Sequence, residues 1–138
     1  MASRRNIAMA LTAATLIAGT IAAPAAFAGT TTAQAYTCHY YESGTGVYGY
    51  AGYYTGNTVI PSSTGVSSSG IEAQCLLKKV GFDPGTIDGV FGTKSKTAAK
   101  AFQSYVNDRS GYPVMTVDGI VGSETWPNLR YYAAMYIY

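Results

Sequence analysis

The spacing of apolar residues becomes helical near residue 68. One face of this segment carries apolar residues at positions i, i+3, i+4 and i+7, namely Ala73, Leu76, Leu77 and Val80. Ser68 or Ser69 can cap the start of the helix, and Gly81 suits the position just after its end. Glu72 near the start and Lys79 near the end carry charges that suit the helix dipole. The pattern therefore predicts a first amphipathic helix that stops before Gly81.

A second helical stripe follows, and it predicts a helix from about Thr93 to Asp108. Its apolar members are Ala98, Ala101, Phe102, Tyr105 and Val106. Three lysines fall on the other face and are interpreted as a solvated surface: Lys94, Lys96 and Lys100. Phe82, which precedes this helix, is expected to fold back onto the core.

The last apolar stretch predicts a third helix that begins near Trp126 and runs through Leu129 to about Met135. Pro127 lacks an N–H and disfavours helical geometry in the residue before it, so it fits only in a first turn. The Tyr-rich tail after Leu129 is too short to span a bilayer. It either packs on the other helices or exposes an aromatic patch.

Two copies of one short pattern precede the second and third helices. Ile87–Ser95 and Val117–Thr125 both read apolar-Asp-Gly-apolar-apolar-Gly-hydroxyl-charged-hydroxyl. Asp88 and Asp118 can each accept a hydrogen bond from the backbone two residues on, and the glycine after them tolerates a positive φ. The second glycine and the hydroxyl after it are expected to supply N-cap chemistry, in Gly92-Thr93 and Gly122-Ser123. Each copy therefore predicts a turn that leads into a helix.

The first 28 residues have the features of a secretory signal peptide. Arg4 and Arg5 form a basic start, residues 7–23 are apolar or small, and Ala26-Phe27-Ala28 fits the cleavage rule. The apolar run is too short for a membrane anchor and ends at Pro24. We therefore expect cleavage after Ala28 and a secreted protein, extracellular or associated with a cell wall, with no membrane span after cleavage.

Charge excludes nucleic acid as an expected partner. The chain has nine Lys+Arg and seven Asp+Glu, a formal charge of +2. Loss of Arg4 and Arg5 with the signal leaves seven against seven, so the mature chain is close to neutral. It lacks the basic surface that nucleic acid or an anionic membrane would require.

Residues 29–69 form a Tyr/Gly/Ser-rich extension and linker. Seven of the thirteen tyrosines lie between Tyr36 and Tyr54, interleaved with glycines that are costly in a helix. Alternation from Val47 to Ala51 indicates a short strand or hairpin. The segment either covers the helices and extends a small core, or acts as a self-association or partner-binding element.

Cys38 and Cys75 are the only cysteines, and both lie in the exported part. Two cysteines in an exported chain predict one disulfide. The alternative is a metal pair, but two cysteines and one histidine lack the spacing of a zinc site. The disulfide would join the extension to the first helix.

The ordered motifs from residue 70 onward resemble the peptidoglycan-binding domain found beside bacterial cell-wall hydrolases. The resemblance rests on three runs: Ala73-Gln74-x-Leu76-Leu77-x3-Gly81-Phe82, then Asp88-Gly89-Val90-Phe91-Gly92-x2-Ser95-x2-Ala98-x3-Phe102-Gln103, then Val117-Asp118-Gly119-Ile120-Val121-Gly122-x2-Thr125-Trp126-x2-Leu129. It implies that residues 70–138 form a compact three-helix bundle that binds peptidoglycan without catalysis. The fold class expected for the whole chain is mainly α, with the disulfide-linked extension added.

Catalytic chemistry has little support in the sequence. His39 is the one histidine, and alone it completes neither a zinc triad nor a Ser-His-Asp set. Glu42, Glu72 and Glu124 are scattered, without the pairing that glycoside hydrolysis needs. We therefore expect no enzyme activity, no metal and no cofactor. A small cell-wall hydrolase is the least favoured alternative.

Binding of peptidoglycan would use aromatic faces against sugars, together with amide, hydroxyl and guanidinium groups. A candidate groove lies along the second helix, its exit loop and the start of the third helix, with the residues Gln103, Tyr105, Arg109, Tyr112 and Trp126. Phe102 is assigned to the core, Tyr105 to both core and surface, and Trp126 suits core and groove equally. The ligand could be the glycan or the stem peptide, and a separate wall hydrolase is a candidate partner. The alternative function is an envelope structural or protein-interaction role of the Tyr-rich segment.

Overall fold

The computed structural model describes residues 34–136, so the predicted signal peptide at 1–28 lies outside the described residues. Three helices lie within these residues and are numbered here α1 (Ser68–Lys79), α2 (Thr93–Ser110) and α3 (Thr125–Met135). Two short antiparallel strands, β1 (Tyr41–Glu42) and β2 (Gly49–Tyr50), pair with Tyr41 opposite Tyr50. Cys38 and Cys75 form the predicted disulfide. The mainly α fold, the hairpin and the bridge are therefore confirmed.

The N-cap of helix α1 lies one residue before the first of the two predicted caps. The N-cap is Ser67, not Ser68 or Ser69, and its hydroxyl accepts a hydrogen bond of 3.0 Å from the Gly70 N–H. Ser67 has the extended backbone that a capping residue requires. Gly81 follows the end of the helix with a φ of +94°, as predicted. The predicted apolar face is buried throughout.

Helix α2 starts at the predicted residue and runs two residues further, to Ser110, where Gly111 adopts the left-handed conformation. Its predicted apolar stripe is right except at Ala101, which is exposed, whereas Ala99 is completely buried. Ala99 lies on the same face of the helix as Gln103, four residues later, and Gln103 is also buried. The Phe82 ring packs edge-on against a core ring of α2 at 5.9 Å, as expected.

Helix α3 begins at Thr125, so Pro127 lies in its first turn as predicted. Trp126 and Leu129 have no exposed surface. The Trp126 ring contacts the ring of Tyr54 at 5.2 Å between centroids. Trp126 is therefore a core residue. None of the helices within the described part of the chain is long and apolar enough to cross a membrane.

The extension packs against the helices. Strand β2 lies so close to α3 that a Cβ atom at Gly49 would be 2.8 Å from the backbone nitrogen of Ala134. The Tyr40 hydroxyl donates to the Cys75 carbonyl at 2.9 Å. Burial, together with the nearby Glu72 carboxylate, raises the pKa of Tyr40. The hydrophobic core consequently includes side chains from the extension as well as from all three helices.

Candidate functional site

A buried glutamine holds the first repeated turn. The Gln74 Nε2 donates to the Asp88 carboxylate, the Val90 carbonyl and the Ser95 hydroxyl, each at 3.0 Å. Its Oε1 accepts from the Gly89 N–H at 2.8 Å. The Asp88 carboxylate also accepts from the backbone N–H two residues on, at 2.9 Å, as predicted.

The second turn is held in the same way by Gln103. Its Nε2 donates to the Asp118 carboxylate (3.1 Å), the Ile120 carbonyl (3.1 Å) and the Thr125 hydroxyl (2.9 Å). Its Oε1 accepts from the N–H groups of Asp118 at 3.0 Å and Gly119 at 2.9 Å. The sequence repeat is therefore also a repeat of structure, with a glutamine from the preceding helix at the centre of each turn.

The predicted N-cap at Gly92-Thr93 is confirmed for Gly92, whereas the capping bonds expected from the Thr93 and Ser123 hydroxyls and the cap expected at Gly122-Ser123 are wrong. The N-cap residues of α2 and α3 are Gly92 and Glu124, and neither makes a side-chain capping bond. The hydroxyl used in the first turn is that of Ser95, which donates to the Pro84 carbonyl at 2.9 Å. Ser95 and Thr125 each lie three residues after the second glycine of their repeat. Their hydroxyls face inward and accept a hydrogen bond from the buried glutamine of that turn.

We expect Gln103→Ala to lower the free energy of unfolding by about 2 kcal/mol, because buried N–H groups of the second turn lose their acceptor. Gln74→Ala should have a similar effect on the first turn. Urea denaturation followed by circular dichroism measures both. Asn128→Ala, which removes an exposed amide that bonds the Glu124 carbonyl, is the control. Losses in the glutamine variants no larger than in the control would contradict the stabilising role of the two glutamines.

The structure does not bring the five predicted groove residues to one surface. Gln103 and Trp126 have no exposed surface, and the Trp126 indole N–H donates to the Val59 carbonyl at 2.9 Å. Tyr105 is half-buried, with the Arg109 guanidinium 5.8 Å from its ring centroid. Tyr112 is 66% exposed at the rim of a shallow depression beyond the end of α2. Ligand binding by Tyr105, Arg109 and Tyr112 stays a prediction.

A different depression lies between the linker and the second turn, here called the Ile60–Ile120 cleft. Two adjoining hollows of about 280 and 200 Å³ share these two isoleucines as lining. The larger hollow is mostly polar, with Thr58, Asp118, Ser123 and Glu124. The smaller is mostly apolar, with Pro61, Phe91, Val121 and the side chain of Lys96. The cleft therefore combines an aliphatic ridge with charges of both signs.

The corresponding hollow at the first turn has a different character. It holds about 230 Å³ and is lined by residues such as Pro84, Asp88 and Lys94. The Lys94 ammonium lies 3.1 Å from the Asp83 carboxylate in an exposed ion pair. A hydrogen bond from the Gly85 N–H, followed in size by the Lys94 contact, holds the pKa of Asp83 below its usual value. No isoleucine of the linker covers this hollow.

A buried ion pair is the main feature that sequence reasoning missed. Glu72 and Arg130 are both completely buried, and their charged groups are 3.0 Å apart. The Glu72 carboxylate also accepts from the N–H groups of Ala51 at 2.8 Å, Tyr53 at 2.9 Å and Tyr54 at 3.2 Å. Helix periodicity could have indicated that both residues are buried. Glu72 lies four positions before the core residue Leu76, and Arg130 lies four positions after the core residue Trp126.

The Arg130 guanidinium completes this network on the side of the extension. It donates to the carbonyls of Tyr54 at 2.7 Å and Gly56 at 2.8 Å, and to the Asn57 side chain at 2.9 Å. It also lies 4.4 Å from the ring centroid of Tyr50. The ion pair therefore fastens residues 49–57 of the extension between α1 and α3.

Comparison with known proteins gives one match. Residues 67–129 match the family model described as "Putative peptidoglycan binding domain". Searches of curated proteins and of solved structures found no match. The matched range covers α1, both glutamine-centred turns, α2 and the first turn of α3. Residues 67–129, a little under half of the chain, are therefore similar to the peptidoglycan-binding domain family.

Proposed function

We propose that the protein is secreted and holds cell-wall peptidoglycan without cleaving it. The match of residues 67–129 to a peptidoglycan-binding family carries the proposal. Secretion is supported by the signal-like first 28 residues. It is also supported by the disulfide between Cys38 and Cys75, a bond typical of oxidising, exported environments.

The use of the acidic side chains supports a role without catalysis. Glu72 is committed to the buried ion pair, and Asp88 and Asp118 each accept hydrogen bonds within their turns. The carboxylates that recur in the sequence are therefore explained by folding. A separate hydrolase remains a candidate partner, which this module would locate on the wall.

An interaction protein that acts through the Tyr-rich segment has less support. Several of its tyrosines bond or pack inward. Tyr40 and Tyr53 donate to backbone carbonyls, and Tyr54 accepts from the N–H groups of Thr58 and Val59. Tyr41 and Tyr48 remain exposed. An oligomer whose mass rises with concentration in analytical ultracentrifugation would favour this alternative.

Mature protein, residues 29–138, is expected to pellet with purified insoluble peptidoglycan and to release no soluble fragments. Co-sedimentation measures binding, and chromatography of the supernatant for muropeptides measures cleavage in the same tubes. The protein alone, centrifuged in parallel, controls for aggregation.

Each result bears on a different part of the proposal. Release of muropeptides would overturn the non-catalytic role and leave binding intact. Folded, oxidised protein that stays in the supernatant would overturn wall binding, and the Tyr-rich segment would become the principal candidate for function.

A further inference from the structure

We propose that the part of peptidoglycan recognised is the stem peptide, and that it binds in the Ile60–Ile120 cleft. This inference rests on the proposed function and adds the ligand class and the location. The family match does not supply it, because Ile60, one half of the ridge, lies before the matched residues. It rests on the apolar ridge, the charges beside it and the shape of the cleft.

The ridge is an exposed aliphatic pair. Ile60 is 58% exposed and Ile120 is 44% exposed, although both line the same cleft. A Cβ atom built at Gly122 would lie 3.9 Å from Ile60 and 4.0 Å from Ile120. Beneath the ridge, Phe91 is buried and gives the smaller hollow an apolar floor. Small methyl groups of a ligand could lose water against this surface.

Charges of opposite sign lie on the two sides of the ridge. Asp118 and Glu124 line the larger hollow, and Lys96 lines the smaller one. The two ion pairs found among residues 34–136 join Lys94 to Asp83 and Arg130 to Glu72. Lys96 and Glu124 belong to neither pair and can therefore meet a ligand that carries both a carboxylate and an ammonium, whereas the Asp118 carboxylate is bonded within its turn.

The stem peptide has this combination of groups and the glycan strand does not. A stem peptide carries alanine methyl groups, carboxylates and the amino group of a diamino acid within a few residues. The glycan of N-acetylated sugars is best met by exposed aromatic faces. The one ring in the lining of the cleft, that of Phe91, is buried. Methyl groups would lie on Ile60 and Ile120, the ammonium near Glu124 and a carboxylate near Lys96.

Gly122→Ala tests the location, with Gly92→Ala as a matched control. Gly122 lies outside the left-handed region, so alanine adds a methyl group to the cleft without backbone strain. Gly92 holds the equivalent place in the first turn, and a Cβ there would meet no atom within 4 Å. We expect Gly122→Ala to weaken binding of a synthetic stem tetrapeptide about tenfold, measured by titration calorimetry. Gly92→Ala should bind like the unmodified protein.

Variants that each remove one charge test how the ligand is recognised. Lys96→Gln should weaken binding of the tetrapeptide about fivefold by removing the carboxylate partner. Lys100→Gln removes the same charge from an exposed position of the same helix that does not line the cleft, and should have no effect. Glu124→Gln should weaken binding to a similar extent while it retains an acceptor for the Thr116 N–H.

The ligand class is tested with intact walls, with walls stripped of stem peptides by an amidase, and with a soluble N-acetylglucosamine tetramer. We expect pelleting with intact walls only, and no heat of binding with the sugar. Pelleting with stripped walls, or binding of the sugar but not the tetrapeptide, would overturn this inference and leave wall binding standing. Tetrapeptide affinity unchanged in Gly122→Ala would overturn the location. Failure to pellet with intact walls would overturn the proposed function itself.

Discussion

Replacing Glu72 by alanine is expected to lower the free energy of unfolding by about 3–5 kcal/mol, because the change leaves the buried Arg130 guanidinium without its counter-charge. Three N–H groups of the extension, those of Ala51, Tyr53 and Tyr54, lose their acceptor at the same time. Urea denaturation of the oxidised protein, followed by tryptophan fluorescence, measures the loss. Trp126 is the single tryptophan and lies 4.9 Å from the guanidinium, so its emission reports on this region directly.

Asp83→Asn is the matched control, since it breaks the exposed ion pair with Lys94. Its unfolding midpoint should stay close to that of the unmodified protein, because solvent already screens that pair. The double variant Glu72→Leu with Arg130→Met tests whether the ion pair alone accounts for the stability that these two residues provide. Such apolar replacements are often tolerated, but here we expect no recovery, since the backbone groups of residues 49–57 stay unbonded. A double variant as stable as the unmodified protein would contradict this view of the network.

Removal of the disulfide is expected to lower the free energy of unfolding by about 4 kcal/mol in the chain-entropy model, the second large effect. The bridge closes a loop with a sequence separation of 37 residues, so the unfolded chain loses much of its freedom when it is oxidised. Cys38→Ala with Cys75→Ala tests this, and alanine avoids placing a hydroxyl at the completely buried position 75. Urea midpoints of the two proteins give the difference.

Reductant provides the internal control for the bridge. Dithiothreitol should destabilise the unmodified protein and leave the double alanine variant unchanged. A midpoint that hardly moves on reduction would mean that other bonds of the extension, such as the one from Tyr40 to the Cys75 carbonyl, already hold it in place. That outcome would contradict the expected effect.

Local patterns predicted the helices because their causes are local. Gly81 follows the end of α1, and Pro127 fits the first turn of α3. The bonds of Asp88 and Asp118 to the N–H two residues on were also predicted, since an Asx turn needs no distant partner. The disulfide followed from the number of cysteines and the predicted export of the chain.

The features that sequence reasoning missed depend on distant partners. The charge of Glu72 was interpreted through the dipole of its own helix, whereas its partner Arg130 lies 58 residues away. Gln103 was assigned to a groove because its amide is polar, but that amide bonds a turn 15 to 22 residues further on. Ala101 fits the helical stripe as well as Ala99 does, and only the packing of α2 separates them. Periodicity can place Glu72 and Arg130 on the buried faces of their helices, but it does not identify the partners of any of these residues.

The hydrogen bonds of Arg130 also have a consequence for the order in which the chain folds. They join it to the carbonyls of Gly49, Tyr54 and Gly56, which are 81, 76 and 74 residues earlier. Contacts so far apart in sequence form slowly, because a long loop must close first. The disulfide joins residues only 37 positions apart, so the loop that it closes is much shorter than the loops closed by Arg130, and it can form first. The covalent bond would then keep the Tyr-rich segment beside α1 until the last helix arrives to complete the buried network.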